Sequence, residues 1–401
     1  MFVLAALAPL THGAEWPQFH GPRRENLSDE TGLLKQWPAD GPKLLWTATG
    51  IGHGFSTVSI ASGLITTTGN IGDDVVVTAL DLEGKPKWTA KNGPACRHDR
   101  PGTRSTPTHD GERLYHQSAN GHLTCFETKT GKAVWSVNIL ETFAGRNTKW
   151  GLSESPFIDG GKVICTPGGM NQGVAALDKM TGKTLWVCTE TTEKLGYSSI
   201  TAVEFGGVRQ YVTMMERSVV GVRADTGALL WNVPHLAFAD ETVSTPIFHE
   251  GSVFVSTLPP GSSQLITLSG QGDGIVAKRA WQSHAQANHH GGVILIDGYL
   301  YGSHFRGKWI CLEFKTGKVM HSAPGVGKGS LTYADGMLYT YSEKGGTVGL
   351  VKATPKGHDV VSRFQIPQRG KGLCWAHPVA CGGRLYLRHG DFLYCYSIRA
   401  E

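Results

Sequence analysis

Two imidazoles stand side by side in Asn288-His289-His290-Gly291-Gly292, and Arg, Lys, Glu, Trp and Tyr recur in loops before and after that run. Imidazole can shuttle a proton or ligate a metal. Arginine or lysine beside an aromatic ring suits an anionic or hydroxyl-rich ligand. On an extended segment neighbouring histidines point to opposite sides, so the pair is not expected to chelate one ion as two histidines a helical turn apart would. Joining His290 with His53 or His377 has no spacing rule behind it, and no metal site is expected. Glu154 and Asp240 are acids or bases by location only.

What positions these loops is a repeat. Cys125 to Trp135, Ala176 to Trp186 and Gly221 to Trp231 each read as a strand, a Thr-Gly turn and a second strand ending on Trp. Cys311 to His321 has His in the Trp place, and Ala79 to Trp88 is one residue shorter. Each unit opens on small residues, as at Ser56-Thr57, Ser105-Thr106 and Ser244-Thr245, and passes through a Gly-containing hairpin turn such as Asp110-Gly111 or Asp335-Gly336. There are eight starts but only seven outer strands after them, ending on Trp88, Trp135, Trp186, Trp231, Trp281, His321 and Phe364. The orphan Lys43 to Trp46 supplies the missing one. The chain is therefore expected to be all-β, an eight-bladed propeller of four-stranded antiparallel blades whose last blade is closed by the N-terminal strand. A strand-end indole can fill the gap between blades and offer its N–H to a carbonyl, so the Trp series reads as core.

Aligning the starts puts Phe55, Arg104, Ser153, Tyr197, Val243, His290, Lys328 and Trp375 at equivalent places over a floor of small residues. Other polar or aromatic residues of the same loops are Arg97, His98, Arg100, Arg146, Lys149, Glu241, Arg369 and Lys371. The ligand-binding candidates are His53, Phe55, Arg104, Trp150, Glu154, Tyr197, His289, His290, Lys328, Trp375 and His377, because closure of the fold requires none of them.

The net charge of +5, spread along the chain, indicates no nucleic-acid surface. The run Phe2 to Leu10 is too short to span a bilayer and precedes Thr11-His12-Gly13-Ala14, the pattern of a signal peptide without its basic start. Residues 1–13 are expected to be removed on export, to the periplasm or the exterior, leaving a mature chain without a transmembrane segment. Residues 14–42 form an irregular lead-in expected to lie over the surface, and 43–401 the propeller. The eight cysteines include no CxxC pair, and Cys125, Cys311 and Cys395 sit at strand positions where Ala176 stands in another unit, so they read as small apolar residues.

The pattern Ala-x-Asp-x-x-Thr-Gly-Lys-x-x-Trp, clearest at Ala176 to Trp186, resembles the PQQ-like propeller repeat of quinoprotein alcohol dehydrogenases and of the lipoprotein propeller of the BAM complex. The chain as a whole is similar to exported PQQ-like repeat proteins of planctomycete type. No Gly-His…Trp-Asp pairs of the WD40 kind occur. The dehydrogenase resemblance implies PQQ on the channel axis, a calcium ion, an Asp base and an adjacent Cys-Cys ring. This chain has no adjacent cysteines, and no Cys after the apolar run for a lipid anchor. The expectation is a binding or scaffold module without a cofactor or enzymatic role, holding a small molecule, polysaccharide or envelope protein at the channel mouth. The alternatives are a PQQ- and calcium-dependent alcohol dehydrogenase and a carbohydrate-binding propeller.

Overall fold

Short strands rich in Val, Ile, Leu, Tyr and Thr, interrupted by tight glycine turns, satisfy their backbones by pairing with the next strand. The computed structural model describes residues 14–97, 99–238, 241–367 and 370–400, and shows that outcome eight times. Blades 1 to 8 occupy residues 59–94, 108–138, 157–187, 201–234, 247–283, 293–323, 329–365 and 379–397. Blade 8 takes its outer strand from Leu44–Ala48, which pairs antiparallel with Phe392–Ser397. Residues 1–13, on which the expected signal peptide falls, and His98, Asp240 and Arg369 lie outside the described residues. No helix among the described residues is long and apolar enough to cross a membrane.

The hydrophobic core is divided among the seams between blades, because alternate side chains of each strand face opposite neighbours. Val163 belongs to the cluster shared with blade 2 and Ile164, next to it, to the cluster shared with blade 4. All eight cysteines are buried and outside any disulfide. Cys125, Cys311 and Cys395 lie directly across from Trp135, His321 and Trp46, where a small residue leaves room for the ring. Burial pushes the Cys311 and Cys395 thiols up to about 12, which leaves them unreactive.

Five of the six fastener Trp reach the turn glycine of the following blade, whereas the Trp231 indole donates to Gln210 Oε1 of its own blade at 2.6 Å. Trp46, Trp88, Trp135 and Trp281 donate their indole N–H to Leu82, Thr128, Lys179 and Phe314 carbonyls of the next unit, at 2.9–3.0 Å. Their rings lie on the turn glycine there. A Cβ on Gly182 would sit 2.8 Å from Trp135, and one on Gly84 2.6 Å from Trp46. Phe364 packs on Gly41 of the lead-in in the same manner, so the pattern continues across the joint between the two chain ends. Gly182 (φ +73°) and Gly160 (φ +57°) of blade 3 separate the two roles of glycine, since a Cβ on Gly160 meets nothing within 4 Å. Gly160→Ala should cost only the left-handed backbone term of ~1–2 kcal/mol. Gly182→Ala should lose a further ~1–3 kcal/mol to overpacking against Trp135, read by denaturant unfolding.

The lead-in departs from expectation, because it enters the channel instead of lying over the surface. Trp16 exchanges backbone hydrogen bonds with Ile60 of blade 1, running antiparallel to it. The Pro17 carbonyl accepts from His109 of blade 2, and Arg24 donates to the Ser155 and Pro156 carbonyls beside blade 3. Leu27–Ser28 then adds to Tyr333–Ala334 of blade 7 as a parallel strand. The first contact runs against an inner strand and the last runs with one, so the segment climbs the channel, reverses and descends. Positive φ at His20, Gly21, Arg24 and Asn26 makes the reversal. Gly21 is required there twice, by its φ of +80° and by the Trp16 ring 3.0 Å from where a Cβ would stand. The physical reason is satisfaction of inner-strand edges: eight innermost strands present unpaired backbone to the axis, and this segment pairs with some of it.

Candidate functional site

The loops that enter the inner strands open on one face, opposite the Asp-Gly-type hairpin turns. They surround a cavity of about 460 Å³ on the propeller axis. All eight aligned positions, Phe55, Arg104, Ser153, Tyr197, Val243, His290, Lys328 and Trp375, line it, as do Trp150, His289 and His377. Two of the named candidates do not. His53 lies behind Phe55 with ring centroids 5.7 Å apart, its backbone bonded both ways to Asn70. Glu154 is buried lower on the channel wall, accepting from the Thr166 amide at 2.9 Å near the guanidinium of Arg24.

The structure adds lining residues that the loop alignment did not contain. Phe19 and His20 come from the tip of the lead-in and form the floor. Glu343 and Lys344 come from the turn between Met337–Ser342 and Thr347–Lys352 in blade 7, and Leu373 from the loop into blade 8. A count of strand directions places the turn between second and third strands on the same face as the unit starts, and that was the available signal for Glu343. Nothing in the sequence places Phe19 or His20 on the axis.

The walls are of two kinds. Phe55 and Trp375 face each other at 4.9 Å on one side, and Trp150 and Tyr197 at 5.9 Å on the other. Arg104 lies over the Phe55 ring at 5.5 Å, and donates to the Gly102 and Arg100 carbonyls. Among the described residues it makes no ion pair. Lys328, by contrast, is bound to Glu343 at 3.0 Å, and the Trp375 indole donates to the same carboxylate oxygen at 2.9 Å.

The floor is tied to the wall by a fixed chain of imidazoles. His377 Nε2 donates to the His290 carbonyl at 2.8 Å, which leaves its Nδ1 to accept from His20 Nε2 at 3.1 Å. Burial lowers the pKa of His20 and brings that of His377 to about 4, so both rings are neutral at physiological pH.

The expectation for His289 and His290 is corrected. The chain bends at both residues instead of extending, so the rings turn to the same side, with their Nδ1 atoms 3.3 Å apart. Burial, reinforced by Lys328, lowers His289 to about 4, and burial with His289 beside it lowers His290 further from its usual range. The contacts of His289 with Glu241 at 3.6 Å and of His290 with Glu343 at 3.7 Å are therefore made by neutral imidazoles and are not ion pairs.

Burial raises Glu154 to about 7, against the opposing effects of the Thr166 bond and Arg24. A carboxyl raised above its unfolded value of 4.5 binds its proton more tightly when folded. Its contribution to stability is thus complete below about pH 4.5 and lost as pH rises to about 7. Glu154→Gln, which keeps an acceptor for Thr166, should be more stable than the parent at pH 8 by about 3 kcal/mol, with the gap closing toward pH 4.5. Paired melting curves across that interval check it.

Curated relatives match only in part. The dehydrogenase subunit of alcohol dehydrogenase (quinone) from Gluconacetobacter polyoxogenes, and that from Komagataeibacter europaeus, are each 36% identical over 80 residues. The aligned part is 18% of this chain and spans only 11% of theirs. Among solved structures, BamB from Moraxella catarrhalis superposes with a TM-score of 0.62 at 13% identity, covering 89% of this chain and 98% of that one. Quinohemoprotein alcohol dehydrogenase from Comamonas testosteroni gives 0.67 at 14%, over 96% and 81%. The computationally designed Ika8 protein gives 0.60 at 11%, over 89% and 100%. At these identities the structures speak for the fold alone. The family described as outer membrane protein assembly factor BamB matches residues 72–323, well over half of the sequence, and the chain, an eight-bladed propeller with Trp at six of its eight fasteners, belongs to that family of PQQ-like propellers.

Proposed function

We propose that this protein is an exported binding module whose axial cup holds a ring-bearing anionic ligand, an acidic sugar being the class that suits both kinds of wall. The observation that carries the reading is the convergence of eight departures from the repeat on one cavity with a floor of its own. Its volume lies within the range of about 300–1,000 Å³ usual for small-molecule sites. Phe55, Trp375, Trp150 and Tyr197 offer faces for a sugar ring, and Arg104 offers a cation with no ion-pair partner among the described residues. Export is supported by the apolar run at Phe2 to Leu10.

The test is retention on immobilised polygalacturonate against neutral dextran. Wild type is expected to be retained on the acidic polymer, with Trp375→Ala and Tyr197→Ala each binding about 10–100-fold more weakly through loss of a stacking face. Equal behaviour of wild type and both variants would overturn the reading.

The residues present do not fit the calcium–PQQ alternative. Calcium takes six to eight oxygen ligands. This cup presents imidazoles and, among the described residues, only two carboxylates, Glu241 and Glu343, which is a poor set of oxygen donors for calcium. All eight cysteines are buried and none lines the cavity. Titration of PQQ with calcium is expected to give no saturable change in quinone absorbance at micromolar concentrations. Saturable binding with dye reduction by an alcohol would restore the dehydrogenase.

A further inference from the structure

We infer that His289, His290 and Glu343 form a binding site for one divalent transition-metal ion of the zinc type, at the rim of the cup. One ligand atom from each of the three lies within 4.8 Å of the others. The His289 and His290 Nδ1 atoms are 3.3 Å apart, and His290 Nδ1 is 3.7 Å from Glu343 Oε2. Two nitrogens bound at about 2.0–2.1 Å to a tetrahedral ion stand roughly 3.3 Å from each other, so the imidazole pair needs little movement.

Three further features favour a cation over a simple hydrogen bond between the rings. First, His289 Nε2 faces Glu241 Oε2 at 3.6 Å. A carboxylate behind a histidine keeps the proton on the far nitrogen and the lone pair on the near one, which is the usual support for a metal ligand. Second, the His290 side chain is only 8% exposed and lines the cavity, so its Nδ1 is held in place beside the other two ligand atoms. Third, Glu343 is fixed by its backbone, donating to the Lys328 carbonyl and accepting from the Cys374 amide, both at 2.9 Å. Two nitrogens and one carboxylate select zinc, cobalt or nickel over calcium or magnesium. Three protein ligands leave a fourth position toward the cavity, where an anionic ligand or water would bind.

Lys328 opposes the ion. Its ammonium shares Glu343 Oε2 with the Trp375 indole, and must swing aside when a metal is bound. This makes a distinctive expectation, since Lys328→Met removes a competing cation and should tighten metal binding. A site that was only an ion pair would lose order instead. The inference does not rest on the sugar reading, and either can fail alone.

The experiment is titration of chelator-treated full-length protein with Co²⁺ and with Zn²⁺. Cobalt should give the intense visible absorption of a low-coordinate nitrogen–oxygen site, saturating at one equivalent and displaced by zinc, with no competition from calcium. His289→Gln should abolish saturation at micromolar cobalt while keeping the parent melting temperature without metal, and Glu343→Gln should abolish it too, with a lower melting temperature because Lys328 loses its carboxylate partner. Glu241→Gln should weaken binding by about 10–100-fold. No saturable cobalt spectrum at micromolar concentrations would overturn the site, as would a spectrum that survives His289→Gln and Glu343→Gln together.

Discussion

Arg388→Met is expected to lower the stability of the propeller by about 4 kcal/mol or more, the largest loss for any single side chain discussed here. Arg388 is only 2% exposed and lies in blade 8 at the seam with blade 1, where the ring of blades closes. Its guanidinium donates to the carbonyls of Gly52, Ser56 and Thr68, to the Thr67 hydroxyl and to the Gly390 carbonyl, all at 2.6–2.9 Å. Burial depresses its pKa to about 9, with Asp391 the nearest opposing influence. Replacing a buried charge by an apolar residue is often neutral when both partners go. Here the partners are backbone carbonyls that no substitution removes. Only Thr68 keeps another side-chain donor, the Thr103 hydroxyl, so Gly52, Ser56 and Gly390 lose theirs. Arg388→Lys should fail to rescue, because one ammonium cannot reach carbonyls in several directions at once. Denaturant unfolding of the two variants decides it: a loss below about 1 kcal/mol for Met would show that water satisfies the seam.

Trp16→Ala is expected to cost about 3–5 kcal/mol and to release the channel plug. Trp16 is 1% exposed and its ring packs in the cluster that joins blades 8 and 1 and against Gly21, so the substitution removes that anchor of the ascending limb and leaves only the two backbone bonds with Ile60. The limb beyond it is held chiefly by polar groups. Arg24 donates to two carbonyls and to Gln18, and Asn26 donates to the Leu331 carbonyl while its own carbonyl accepts from Thr332 and Tyr333. Trypsin should therefore cut at Arg23 or Arg24 in the variant, while residues 43–400 stay resistant because their seams do not depend on the tip. Resistance of Arg24 in a variant that has lost stability would show that the polar contacts hold the plug without the indole. The same variant would also lose the cavity floor at Phe19 and His20, so retention on polygalacturonate should fall with it.

The sequence by itself determined the blades, their number and their closure. A Thr-Gly turn followed by Trp is a local instruction, since the turn needs positive φ and the strand that follows needs a large end. Counting such units finds Lys43 to Trp46 as the missing partner, because an unpaired strand must satisfy its backbone somewhere. It also aligned the ring of Phe55, Arg104, Ser153, Tyr197, Val243, His290, Lys328 and Trp375, as identical blades bring equivalent loop positions to the same height on the axis.

What only the tertiary structure decided lies where that periodicity stops. The lead-in has no repeat, so its residues carry no sign that they climb the channel; their place follows from unpaired inner strands that are brought together only once the ring has closed. Glu343 comes from a second set of turns that the alignment of unit starts leaves out. His289 and His290 were judged by the alternation of an extended chain, and a bend at both residues, closed by the Asn288 side chain bonding Gly292 both ways and held from Ser244 and Ser303, turns the two rings onto one point. Periodicity transmits through backbone pairing and fixes the frame. The chemistry of the cup depends on side chains from four or more blades and the lead-in, whose distances no spacing along the chain encodes.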